Sequence, residues 1–374
     1  MATSPVPAFV FAEHARQGAF SLLAAALRRR GMRTIHVTTA RPLWINRFIS
    51  WLMYDRSLFV TEEQLGRIGE LLGGEDVRDV QHTEYVLERL AAGAATLPGE
   101  LGAQVAHRAA LLDKFALGEL CERRGIRVPE KIEAAGCSPA RAVAAFGLPL
   151  VVKTKVGASG LGVRIASTEA AVAQALAELG PVENVFYERF IEGDYLDYSA
   201  VAGPDGPLQE IGTRTVAATS TAPPSSIETV DDPGLMEIGR QTVRELALTG
   251  FIHLDTVRDA QGRFWMMDAN LRVWGSMASL RSAGIDFTEG YLAMLGLSDR
   301  PPGCETGTAG VTVTTFTGVV DAQISRKRVF GTLLAFGRYS PPYIRRFGLR
   351  YAAGSLTSSM ASVAAHLLTA PIPW

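Results

Sequence analysis

Apolar and polar positions recur with two different periods along this chain, and the switches between them mark its elements. Near the N-terminus the apolar run AFVFAEH (residues 8–14) leads into GAFSLLAAALRRRGM (18–32), whose apolar residues fall at helical spacing up to Gly31. A second apolar run, RTIHVTT (33–39), follows. Strand, helix and strand at this spacing predict a βαβ unit, and so a parallel sheet with helices on its faces. The loop Glu13 to Gly18 falls at the carboxyl end of the first strand, where such sheets bind ligands. Arg16 and Gln17 there read equally as substrate contacts or as solvated loop residues.

Further along, VQHTEYVLERLAAG (80–93) reads as helical and is broken by Pro98 and Gly99, and AHRAALLDKFALGELCERRGI (106–126) reads as another helix, ended at Gly125. The pattern then changes to strand, glycine-rich loop and strand in FGLPLVVKTKVGASGLGVRIAS (146–167). A helix opened by Ser167 or Thr168, a strand in ENVFYERFIEG (183–193), and the loop TVAATSTAPPSS (215–226) come next. A loop of that length is expected to be a mobile cover. The helix PGLMEIGRQTVRELAL (233–248) leads into a hairpin, FIHLDTVRDAQGRFWMMDANLR (251–272).

With 374 residues the chain is too long for one small core and predicts two or three packed units. A 47% hydrophobic, 20% charged composition is that of a globular protein, and 37 Lys and Arg against 38 Asp and Glu give no electrostatic case for nucleic acid. Cys121, Cys137 and Cys304 form no metal-type pair and no disulfide framework, which fits a reducing cytoplasm. The start MATSPVPAFVFAEHARQ lacks the basic region of a signal peptide, and no apolar stretch is long enough to span a bilayer. Arg326, Lys327, Arg328, Arg338, Arg345, Arg346 and Arg350 are interleaved with Phe and Tyr, before an uncharged end (351–374). That end reads as a helix docked on the protein, with a membrane-surface helix as the alternative.

The hairpin carries the first chemistry. If Arg258 pairs with Arg263 across the turn, Asp255 lies opposite Met266, and Asp268 is its diagonal neighbour on the same face, roughly 7–8 Å away. Asn270 and Arg272 continue that face, with His253 opposite Asp268 as a structural histidine. Trp265, Met267, Ala269, Leu271 and Val273 form the apolar face. Hard oxygen donors without a Cys or His cluster suit magnesium carrying a substrate phosphate. A polar, solvent-facing sheet surface would show the same alternation. Upstream, Lys153 and Lys155 share one face of a strand running into Gly157, Gly160 and Gly162. Backbone amides of such a loop, with Ser159, can donate to phosphate oxygens. The loop lacks the GK[ST] ending of a P-loop.

In order, LLDKFALGELCERRGIRVPE, LPLVVKTKVGASGLGV, YERFIEG and HLDTVRDAQGRFWMMDANLR resemble the ATP-grasp superfamily, from about Leu112 to about Gly296. The resemblance implies an N-terminal parallel βαβ domain (1–111), an ATP-grasp domain (112–300, lid about 125–190) with a central antiparallel-sheet body, and a C-terminal extension (301–374). The fold class is thus α/β, and α+β within the grasp module. It implies Lys114 and Lys153 on ATP phosphates, with Ser159, Gly160 and Gly162 over the β/γ end. It places Glu188 near the adenine amino group, with Arg189 and Ile191 reading the adenine edge through their backbone. Asp255, Asp268 and Asn270 would hold magnesium (manganese as the alternative), Arg272 would steady the transferred phosphate, and Arg214 would be a further phosphate contact. Glutamate is usual in the family at Asp268. At the position of the ribose acid this chain has Tyr195, with Asp194 adjacent.

The activity so implied is an ATP-dependent ligase that joins a carboxylic acid to an amine through an acyl phosphate, releasing ADP and phosphate. Its partners are small-molecule carboxylate and amine substrates, without nucleic acid or a stable membrane span, and a homo-oligomer is left open. A kinase-like phosphotransferase and a non-catalytic ATP-binding regulator are the alternatives.

Overall fold

The computed structural model describes residues 6–14, 20–157, 160, 162–217, 224–298, 304–315 and 338. Arg16, Gln17, Ser159, the middle of the 215–226 loop, and all the named basic residues of the tail except Arg338 lie outside them.

Four parallel strands begin the chain, β1 (Pro7–Glu13), β2 (Arg33–Thr38), β3 (Arg56–Phe59) and β4 (Asp76–His82), in the spatial order β3-β2-β1-β4. Parallel neighbours need crossovers. These are supplied by α1 (Ser21–Arg29), α2 (Trp44–Met53) and the short α3 (Glu62–Leu65) and α4 (Ile68–Leu71). After β4 come α5 (Glu84–Ala92) and α6 (Gly99–Ala110). The helix expected from residue 80 thus starts later, because Val80, Gln81 and His82 pair with β1. Their polar side chains are buried by that pairing rather than displayed on a helix face.

The single helix expected over 106–126 is two. Asp113 caps a new helix, α7 (Lys114–Arg123), its carboxylate accepting from the Phe115 and Ala116 amides at 2.8 and 3.0 Å. A side chain that satisfies the first free N–H groups of a helix can start one inside an unbroken apolar pattern. The lid follows as β5 (Lys131–Glu133), α8 (Pro139–Phe146), β6 (Leu150–Thr154), β7 (Val163–Ala166), α9 (Glu169–Leu179) and β8 (Val185–Arg189). Its antiparallel sheet runs β5-β8-β6-β7.

The body is a larger sheet in the order β13-β12-β9-β10-β11-β15. Its strands are β9 (Gly193–Gly203), β10 (Gly206–Ala217), β11 (Ser226–Val230), β12 (Gly250–Asp259) and β13 (Phe264–Asn270). Helix α10 (Pro233–Glu245) precedes β12, and α11 (Phe287–Met294) follows β13. Two late strands, β14 (Glu305–Thr306) and β15 (Thr312–Thr314), pair with β10 and β11, so the sheet continues past residue 300.

Each face of the body sheet has its own core. Leu196, Tyr198, Ile252, Leu254, Phe264 and Met266 pack with α7 and α10 on one face. Helix α10 comes so close that a Cβ on Gly239 would sit 2.3 Å from the Tyr198 ring. On the other face Val201, Phe251 and Tyr291 share a single core with Phe9, Phe11 and Leu23 of the N-terminal domain. Along β12 that second face changes character, from Phe251 in the core to His253 and Asp255 in a cleft.

Candidate active site

The lid and the body enclose a cleft of about 1100 Å³, and the hairpin β12–β13 forms much of its floor. The register of that hairpin is decisive. Arg258 pairs with Phe264 and Thr256 with Met266, but Asp255 pairs with Asp268 and His253 with Asn270. An extra residue, Met267, is therefore bulged out between Met266 and Asp268. This corrects the expected pairing of Asp255 with Met266. A bulge reverses which face the following residues present. Phe264 and Met266 stay in the core below, together with Ala269 and Leu271, while Asp268 and Asn270 line the cleft. The uniform alternation expected along this strand, with Trp265 and Met267 in the apolar face, does not hold. Met267 lines the cleft, and Trp265 donates to Asp259 at 2.9 Å.

Strand β9 lies on the other side of β12 and places Asp197 directly across from Asp255. Three carboxylates from three adjacent strands, Asp197, Asp255 and Asp268, therefore stand in one row. Ligand atoms of Asp197, His253 and Asp255 lie within 4.8 Å of one another. Burial, and then the neighbouring Asp268 charge, push the Asp255 carboxyl up to about 7, against the pull of Lys114, Lys153 and Arg272. Burial and Asp255 raise Asp197 well above the usual carboxylate range. Carboxylates crowded in this way repel one another unless a cation sits among them. The Asp255, Asp268 and Asn270 oxygens suit magnesium, while the group within mutual reach of one ion also includes the His253 ring. Asp197 has only one local signal in the sequence, its place on the polar side of β9 with Tyr195 and Ser199.

Cations surround this row. Lys114 at the start of α7 bonds Asp268 directly, and its backbone amide donates to Lys155 O at 2.8 Å, tying helix to lid strand. Lys153 donates to Glu188 at 2.5 Å across the β6–β8 pair and reaches Met267 O at 3.5 Å. Burial works against its ammonium, but the Glu188 carboxylate, with Asp268 and Asp255 beyond, keeps its pKa above the ordinary lysine value. Lys155 instead turns to Glu133. Gly160 and Gly162 line the cleft above, Gly160 at φ +69°. A Cβ on Gly162 would lie 2.0 Å from Thr154 Oγ1, so a larger residue there would require the Thr154 side chain to move.

Arg272 lines the cleft just beyond Asn270, and its guanidinium is held by Glu84 from the first turn of α5. Nothing in the local sequence marks Glu84, since its partner is 188 residues away. His253 accepts or donates at Ser199 (2.9 Å) and stacks on Trp274 at 5.5 Å. Burial and then Arg272 push its pKa down to about 4, so the ring is neutral at neutral pH. Arg214 lines the opposite wall, with Glu228 holding its guanidinium at 2.8 and 3.0 Å.

The hinge residues divide. Glu188 and Ile191 line the cleft. Arg189 does not; its amide donates to Glu130 O at 2.9 Å and its guanidinium bonds the Glu130 carboxylate. Its N–H is thus engaged, so the expected backbone reading would fall to its carbonyl oxygen. Asp194 and Tyr195 both line the cleft, but Arg258 holds the Asp194 carboxylate at 2.7 Å.

No protein-family model matches the chain. A curated relative, the D-alanine--D-alanine ligase of Chromohalobacter salexigens, is 25% identical over 228 residues, covering 58% of this chain and 67% of that protein. The match therefore spans about two thirds of the relative's length. Among solved structures, the ADP complex of N5-carboxyaminoimidazole ribonucleotide synthetase superposes with a TM-score of 0.67 at 15% identity, over 87% of this chain and 86% of the other. An L-amino acid ligase from Bacillus licheniformis gives a TM-score of 0.59 at 15% identity, over 78% and 74%.

Proposed function

We propose that this chain, a member of the ATP-grasp superfamily, uses ATP to join a small carboxylic acid to an amine, releasing ADP and phosphate. The observation that carries this reading is one cleft in which the row Asp255, Asp268 and Asn270 faces Lys114 and Lys153, with Arg272 alongside.

Asp255, Asp268 and Asn270 would hold a magnesium ion, with Asp197 beside them. Such an ion supplies charge neutralisation and orientation for the nucleotide's terminal phosphates. The remaining work falls to the chain itself. Lys153 is charged and buried, so it lays a fixed positive charge along the phosphate path without solvent reorganisation. Lys114 is tied to the lid backbone and extends this positive lining toward Asp268. Ile191 would present an apolar surface for the base, and Gly160 and Gly162 would lie over the β/γ end. Arg272, held by Glu84, steadies the transferred phosphoryl group and then the acyl phosphate, and Arg214 adds a second guanidinium from the facing wall. Transfer of this kind rests on positioning and charge neutralisation, and the site needs no nucleophilic side chain. Closure of the lid excludes water that would otherwise hydrolyse the acyl phosphate.

The relatives' names (a D-alanine ligase and an L-amino acid ligase) favour an amino acid or related metabolite for at least one substrate. A cytoplasmic setting fits ATP as co-substrate. No helix among the described residues is long and apolar enough to cross a membrane. The test is a screen of carboxylic acids and amines for ADP release, followed by hydroxylamine trapping with the acid that responds. Hydroxamate marks the ligase. A stable phosphorylated product without hydroxamate would replace it with the kinase reading.

A further inference from the structure

The cations around the carboxylate row already have partners. Lys114 bonds Asp268, Lys153 bonds Glu188, and Arg272 bonds Glu84. Asp197 and Asp255 are left over. They stand directly opposite one another in the β9–β12 ladder, where paired like charges destabilise a sheet. The Asp197 carboxylate makes no hydrogen bond or salt bridge with another described residue. Asp255 has only the Asn270 amide at 3.4 Å and His253 Nε2 at 3.5 Å.

His253 completes a set of donors with this pair. It lies two residues before Asp255 on β12, so both face the same side of the sheet. Donor atoms of Asp197, His253 and Asp255 are mutually within 4.8 Å, and all three residues line the cleft. The imidazole is held on two sides, by Ser199 Oγ at 2.9 Å from Nδ1 and by the Trp274 ring stacked on it at an interplanar angle of 11°. Its free nitrogen, Nε2, is the one beside Asp255. Their separation of 3.5 Å is long for a hydrogen bond. Two donors each about 2.1 Å from one ion lie roughly 3.0–3.4 Å apart, which is close to the spacing found. An ion on Nε2 would fix Nδ1 as a donor to Ser199, the outer hydrogen bond that orients metal-binding histidines. Magnesium prefers oxygen donors and keeps several waters, whereas an imidazole nitrogen favours first-row transition ions.

We infer that Asp197, His253 and Asp255 form a second cation site, on the β9 side of Asp255, which binds a divalent first-row transition ion without nucleotide. It shares Asp255 with the proposed magnesium position, but Asp197 and His253 are its own. The experiment titrates Mn²⁺ and Mg²⁺ separately into the full chain, stripped of metal and free of nucleotide, by calorimetry. Electron spin-echo spectra of the Mn²⁺ form then report its ligands. Mn²⁺ should bind about tenfold or more tightly than Mg²⁺, with modulation from an imidazole nitrogen. His253→Gln should abolish that modulation and weaken Mn²⁺ about tenfold, while Mg²⁺ changes by less than about twofold. Asp197→Asn should also weaken Mn²⁺ about tenfold. Because it removes a like charge, its metal-free melting temperature should equal or exceed that of the parent, which also shows that the variant folds. Four results overturn the inference: no Mn²⁺ binding without nucleotide, equal affinity for the two ions, no nitrogen modulation, or modulation that persists in His253→Gln. The third would leave only the position at Asp255, Asp268 and Asn270, and the fourth would move the ion to another histidine. None of them bears on ligation, which fails separately if no acid and amine release ADP.

Discussion

The lid and the rest of the molecule are built on opposite plans. The lid packs around a core of its own, with Leu150, Val152, Val172, Val185 and Tyr187 at its centre. It meets the floor of the cleft through Lys153 to Met267 O and the Met266 amide to Arg127 O at 2.9 Å, and it meets α7 through the Phe186–Phe115 ring contact. The N-terminal domain and the body instead share one core, in which Phe251 stacks on Tyr291 at 4.5 Å and Tyr291 reaches across to donate to Asp79 at 2.5 Å. Arg108, buried with Asp79, lies 3.6 Å from it. Apolar burial is lost when surfaces separate, whereas polar links exchange for water or phosphate at little net cost. The carboxylate row is thus fixed on a rigid floor, while the glycine loop and Lys153 ride on a part that can move.

The sharpest break of this division is at the floor. Asp268→Asn should reduce ADP release about a thousandfold or more while circular dichroism and melting stay near the parent values, because a ligand is lost and no core contact. Wild-type turnover in that variant removes the metal assignment. Next comes the shared core. Phe251→Ala should cost about 3–5 kcal/mol in denaturant unfolding, with N-terminal domain and body losing hydrogen-exchange protection together. Val152→Ala in the lid should cost about 2 kcal/mol and leave protection of the shared core intact.

A smaller effect is expected where the two plans meet. Glu84→Gln should lower kcat about tenfold through a less well-held Arg272 and leave nucleotide affinity unchanged; an equal change in affinity would mean that Glu84 acts on binding. The mildest lever is pH. Asp255 is protonated in the folded state up to about 7, above its unfolded value of about 3.9. Its contribution to the stability of the metal-free protein is therefore present below about pH 4 and lost as pH rises toward 7. Magnesium and nucleotide, which need the carboxylate, should raise the melting temperature progressively more over the same rise. A ligand-induced shift that is flat from pH 5 to 8 contradicts this.

Much of the site was legible one strand at a time. Lys114, Lys153, Glu188, Asp255, Asp268, Asn270, Arg214 and Arg272 all stand in or at the cleft where their motifs pointed. The misjudged features share a cause. Val80 to His82 read as helix because a buried parallel strand and a buried helix turn look alike in a short window. The Met267 bulge escapes a single-strand reading because the shift in register is set by the pairing with β12.

The amino-acid order by itself determined the periods of the elements, the glycine turn and the identity of the charged groups, since each depends on residues within a few positions. Only the tertiary structure decided the Met267 bulge, the alignment of Asp197 with Asp255 and Asp268, and the grip of Glu84 on Arg272. Those depend on which strands and helices become neighbours, and that is settled by burial of the shared core rather than by any local stretch of chain.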